Sequence, residues 1–165
     1  MRDLYVVNVL AHVCAAVLWL GGMFFLALVV APVLRRLEPS TLRTGLFRAV
    51  GERFRIVGWS CIAVLIITGA LSLHFRGVLN AATLGTASFW SSPYGRMLAW
   101  KLVGVGAMLV MSALHDFVYG PAATRLRAGS PGALRARRRA LLWARLNAVV
   151  GVLVLLAAVR LARGG

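Results

Sequence analysis

No charged side chain occurs between Asp3 and Arg35. A run of that length, built mainly from Leu, Val, Ala and Phe, leaves few folds open. At a rise of about 1.5 Å per residue, a helix there exceeds the ~30 Å hydrocarbon core of a bilayer. Only a helix or a closed barrel satisfies every backbone polar group within lipid. The run is too long for the apolar core of a signal peptide, and no small-residue cleavage site followed by a polar stretch ends it. The sequence therefore predicts a retained spanning helix over about residues 5–32.

Three further spans follow from similar signals. A second charge-free window separates Arg55 from Arg76 and predicts a helix over about 57–76. Ser92-Pro93 joins a capping side chain to a residue suited to a first helical turn, which predicts a third helix from there to about 119. Gly120-Pro121 is its stop signal. Ser130-Pro131 repeats the start signal. The fourth helix begins in an arginine-rich stretch and crosses the membrane at about 141–160. Lys101 and Arg145 interrupt the last two spans without removing their apolar character. Short connections make sequence neighbours antiparallel. The expected fold is all-α: an integral membrane antiparallel four-helix bundle, with residues 1–165 as one domain.

Hydrophobic residues make up 61% of the chain, against roughly 45–50% in soluble domains. The formal charge of +15 would point to nucleic acid in a soluble protein. Here its placement points to a bilayer instead. One connection holds Arg35, Arg36, Arg43, Arg48, Arg53 and Arg55, another Arg125, Arg127, Arg135, Arg137, Arg138 and Arg139, and the connection over 77–92 has no Lys or Arg. Positive charge favours the cytoplasmic side, so both chain ends are expected on the periplasmic face of a bacterial inner membrane. Trp90, Tyr94 and Trp100 then mark the outer boundary, and Trp59 and Trp143 the inner one. Leu46, Val50, Phe54 and Val57 recur at helical spacing among the arginines, which predicts a short interfacial helix leading into the second span.

Polar residues inside the spans carry the chemistry. His12 lies about two turns, roughly 11 Å, into the first span from its outer end. His74 lies near the outer end of the second span, and Lys101 about two turns into the third. These three define an expected outer layer. His115, beside Asp116, and Asn147 define an inner group. Lys101, Met108, Ser112 and His115 share one face, because multiples of seven residues return near the same helical angle. Each has an ordinary role open to it: an interhelical tie for His12, an interfacial site for His74, snorkelling for Lys101, a solvated helix end for His115, packing for Met108 and Met111. Ionisable groups within a bilayer are nonetheless costly enough to be functional candidates.

Neutral imidazole ligates copper and haem iron, and thioether sulfur prefers Cu(I). The copper candidates are His12, His74, Met23 and His115, with Met23 about three turns inward from His12 on nearly the same face. The haem b candidates are His12, Lys101 and His74, Lys101 serving a propionate. A third reading is a cofactor-free structural subunit, with Gly21-Gly22, Gly104 and Gly106 allowing close helix approach or self-association. Cys14 and Cys61 lie at different expected depths, which opposes a disulfide. Four acidic residues, with no Ser-His-Asp arrangement, zinc-protease spacing or phosphate loop, supply no catalytic candidate.

The run HVCAAVLWLGGMFFLALVVAP (12–32) resembles the first helix of CopD-domain copper-resistance proteins. GWSCIAVLIITGAL (58–71), YGRMLAWKL (94–102), SALHDFVYGP (112–121) and RLN (145–147) are similar to later pieces of that family, in the same order. The resemblance implies a four-helix inner-membrane module for copper uptake or tolerance, working with a periplasmic copper protein or a respiratory redox partner. A lesser likeness, carried by His12, Trp19-Leu20-Gly21 and Lys101-Leu102, is to the HemJ-type protoporphyrinogen oxidases. It implies haem b, with His12 as ligand and Lys101 as its partner.

Overall fold

The structure is a computed structural model and describes residues 2–121 and 130–163, the side chain of Arg137 excepted. Among the described residues every regular element is a helix. Four are long and apolar enough to cross a membrane: α1 (Arg2–Arg35), α2 (Ser40–Phe75), α5 (Pro93–Tyr119) and α6 (Pro131–Ala162). Two short helices, α3 (Ala81–Leu84) and α4 (Ala87–Ser91), lie in the connection between α2 and α5. The all-α class and the presence of four long apolar helices are as expected, and the chain is a multi-pass membrane protein.

The helix starts follow local chemistry. Ser92 Oγ accepts the Gly95 N–H at 3.0 Å, and Ser130 Oγ accepts the Ala133 N–H at 3.2 Å. Each serine satisfies one otherwise orphaned donor, and the proline after it has no N–H to orphan. The C-terminus of α2 closes on Gly77, whose φ of +69° suits only glycine well. Its N–H reaches His74 O at 2.9 Å and the Val78 N–H reaches Leu73 O at 2.9 Å, so the last carbonyls are met.

The expected short interfacial helix is not a separate element. Residues from Ser40 onward run without a break into the second span, giving one helix of 36 residues. No proline occurs between Pro39 and Pro93, so nothing removes an N–H from the ladder. Helix α1 is less regular. It widens into π-helical turns at Val17–Gly21 and Leu26–Val30, as α5 does at Leu114–Tyr119. Such turns re-aim every residue beyond them. The segment carrying Arg125 and Arg127 lies outside the described residues.

The chain divides into two compact units, residues 1–85 and 86–165. In the first, α1 packs antiparallel on α2: Asn8 meets Ser72, His12 meets Thr68, and Trp19 lies against Gly58. In the second, α5 packs antiparallel on α6, with Ser112 meeting Asn147 and Tyr119 stacking on Trp143. Many apolar side chains face outward, Leu28 at 71% exposure and Trp100 at 72% among them. In a bilayer these surfaces meet lipid.

The glycine expectation divides within each pair. Gly22 lies under the Phe54 ring and Gly104 under Val154, whereas a Cβ on Gly21 or Gly106 would meet nothing within 4 Å among the described residues. Successive helical residues point in different directions, so only one of two neighbours can face the partner helix. Cys14 is exposed and Cys61 buried, and both are free thiols.

Candidate functional site

A polar seam joins α1 to α2 around Thr68. The Thr68 hydroxyl donates back to Val64 O at 2.6 Å. That carbonyl can only accept, so the single hydroxyl proton is committed there. His12 Nδ1 lies 2.7 Å from the same Oγ1 and must therefore donate to it. This fixes the Nδ1–H tautomer and leaves the ring's lone pair on Nε2. The ring lies over Gly69, where a Cβ would stand 3.7 Å from His12 Cε1.

Asn8, one turn before His12, is oriented by the same residue. Its Nδ2 donates to Thr68 O at 3.0 Å and to Ser72 Oγ at 2.9 Å. Ser72 Oγ donates to Thr68 O at 2.8 Å. A carbonyl can only accept, so the amide cannot be turned over. Asn8 Oδ1 is consequently directed away from Thr68, buried, with no hydrogen-bond partner among the described residues. Asn8 and Thr68 are each 7% exposed and His12 is half-buried.

The other copper candidates of this unit do not join that seam. His74 lies six positions beyond Thr68, about 9 Å further along α2. It is exposed, at the level where Arg76 donates to Tyr5 OH at 3.1 Å and Tyr5 meets Phe75 edge-on. The expected layer containing both His12 and His74 is therefore two levels. Met23 is half-buried, eleven positions from His12, roughly 15 Å along α1. The wide turn at Val17–Gly21 lies between them, so the regular 3.6-residue period that put them on nearly one face does not hold. A first-row metal takes ligands at about 2.0–2.3 Å, far less than either separation.

The second unit has its own seam. Asn147 Nδ2 donates to Ser112 Oγ at 2.9 Å, and both side chains are buried. His115 Nδ1 donates to Ala140 O at 3.2 Å, with Nε2 4.0 Å from Asp116 Oδ1. His115 is thus tied across the hairpin while its side chain stays 41% exposed. Asn147 and His115 are tied to different partners, Ser112 and Ala140 O, within the same helix pair. Lys101 is half-buried fourteen positions away, about 21 Å along the helix. Met108 and Met111 are buried.

Among the described residues, no three His, Cys, Asp or Glu side chains gather closely enough to hold a metal ion. Sequence reading named His12 but missed Asn8, Thr68 and Ser72. Their signal is two polar pairs at a spacing of four, Asn8/His12 and Thr68/Ser72, each in an otherwise apolar span.

Comparison with known proteins adds the family. The profile described as copper resistance protein D, CopD, matches residues 48–161. That stretch holds Thr68, Ser72, His74, Lys101, His115 and Asn147, while Asn8, His12 and Met23 precede it. An uncharacterized protein of Aquifex aeolicus (strain VF5) is 36% identical over 75 residues, covering 45% of this chain and 49% of that one. The chain thus spans about half the length of that relative. No solved structure matches it. With the profile spanning most of its length, the chain belongs to the copper resistance protein D family.

Proposed function

We propose that this protein handles copper at a bacterial inner membrane, with both chain ends on the periplasmic side and His12 as the main contact for the ion. The supporting observation is the tether of His12 Nδ1 to Thr68 Oγ1 at 2.7 Å. A hydrogen bond on one imidazole nitrogen orients the ring and raises the basicity of the other, the arrangement that metal-binding histidines share. Within the first unit, His12, His74 and Met23 are spread along the helices rather than gathered. That spacing suits copper held briefly as cargo, one or two donors at a time, better than a closed chelate. A periplasmic copper protein is the matching partner, since it would meet the outer ends of α1 and α2.

Haem b is the second reading, favoured by the same single tethered imidazole. The macrocycle brings four nitrogen donors and asks the protein for one or two axial ligands, and it supplies one-electron chemistry when bound. His12 would hold the iron. The two readings separate in one preparation. We expect the detergent-purified protein to bind copper, to lose it in His12→Ala, and to show no Soret band with or without dithionite. A Soret band that disappears in His12→Ala would replace copper with haem. Protein that binds neither would leave the structural-subunit reading ahead.

A further inference from the structure

Helix α6 has two faces of different character. Ala133, Ala136, Ala140 and Asn147 are buried. Their helical spacing puts them on one face, where Ala140 O meets His115 and Asn147 meets Ser112 of α5. Half a revolution away lie Leu134, Arg135, Arg138, Leu142 and Arg145, all exposed. Val149, Leu153 and Leu156 continue that face and are exposed too. It therefore has a basic end and an apolar end. No acidic residue occurs in α6, and among the described residues none of the three guanidiniums makes an ion pair.

Depth gives this face its meaning. The apolar part of α6 starts at Leu141. Arg138 stands three positions before it and Arg135 six, about 4.5 and 9 Å along the axis. The headgroup layer on each side of the ~30 Å hydrocarbon core is about 5–7 Å deep. Arg145 stands four positions past Leu141, about 6 Å inside, where a charge is costly. Helical side chains lean toward the N-terminus, so a long chain at 145 extends toward the level of Arg138. Pro131, Leu134, Arg135 and Arg138 line a shallow groove of about 390 Å³, more than ten times the ~30 Å³ share of one water. Arg135 Nε donates to Pro131 O at 3.2 Å, which commits one of its five N–H donors.

We propose that this face of α6 binds one anionic phospholipid. Arg135, Arg138 and Arg145 take its phosphodiester, and the acyl chains lie along Leu142, Val149 and Leu153. Guanidinium forks match phosphate oxygens in pairs. A soluble phosphate would use only the basic end, whereas the apolar stripe running on from it fits a lipid. A choline headgroup would set its own positive charge against three arginines. Such a site is independent of copper and of His12.

The test uses the full-length protein, delipidated in a neutral detergent and titrated with phosphatidylglycerol or phosphatidylcholine. Native mass spectrometry counts the lipid retained. We expect one phosphatidylglycerol per chain and phosphatidylcholine bound about tenfold more weakly. Arg138→Gln and Arg145→Gln should each weaken phosphatidylglycerol binding about fivefold, the worth of one basic residue at an anionic surface. Arg53→Gln, which removes an exposed charge from α2, should leave it unchanged. Far-UV helicity is expected to be the same in all three variants. Equal retention of the two lipids would mean an apolar stripe with no headgroup site. An equal loss in Arg53→Gln would mean charge spread over the whole surface, and the site would be wrong. Inorganic phosphate bound through the same arginines, with no phosphatidylglycerol retained, would replace the lipid with a soluble anion.

Discussion

Thr68 illustrates how one hydroxyl can set the chemistry of a neighbour. It has a single proton, already given to Val64 O, so His12 must donate to it. Thr68→Val keeps the shape but leaves the His12 Nδ1–H without this acceptor. The expected loss is about 1 kcal/mol, in the range measured for interhelical hydrogen bonds in membranes, read as a lower thermal midpoint in detergent. The adjacent glycines of α1 make a sharper contrast. Gly22→Ala must displace the Phe54 ring, whereas Gly21→Ala meets nothing within 4 Å among the described residues. Gly21→Ala is expected to be neutral or to stabilise by up to about 1 kcal/mol through helix propensity, and Gly22→Ala to destabilise, in the same melting experiment. Sequence reading treated the two glycines alike because it had no helix rotation to separate them. For the same reason it named His12 and passed over Asn8, which shares its face.

Helix boundaries were the most legible level. Ser92-Pro93 and Ser130-Pro131 announced the starts of α5 and α6, and the hydrogen bonds that cap them are the ones the residue types call for. Ser92→Ala and Ser130→Ala should each cost about 1 kcal/mol of stability, measurable by chemical denaturation. What stayed hidden is where a helix departs from regularity. The wide turn of α1 at Val17–Gly21 has no proline or charge to mark it, yet it decides that Met23 does not follow His12 around one face. The arginine-flanked segment before the second span read as a separate short helix, because its charge pattern differs from the span's. The backbone ladder is indifferent to that difference and runs on through both.

Across the whole molecule, charge placement predicts orientation. Arg48 lies in the arginine-rich first part of α2, and Ala87 in the connection free of Lys and Arg. With Cys14 and Cys61 replaced by serine, Arg48→Cys should react with a membrane-impermeant maleimide only after the inner membrane is opened. Ala87→Cys should react in intact spheroplasts. The reverse pattern would invert the orientation proposed for the chain ends.

The sequence by itself determined that the chain is helical and spans a membrane four times. Long apolar runs must satisfy their backbone internally in lipid, and that constraint does not depend on which helix packs on which. It also marked His12 as chemically unusual, since an ionisable ring in such a run is costly wherever it lands. Only the tertiary structure decided what His12 is tied to, which of its nitrogens keeps the lone pair, and that His74 and Met23 stand at other levels. Those properties depend on register and rotation between helices, set by how side chains such as Trp19 and Phe54 fit the glycines opposite them. Hydropathy along one chain carries no information about that fit.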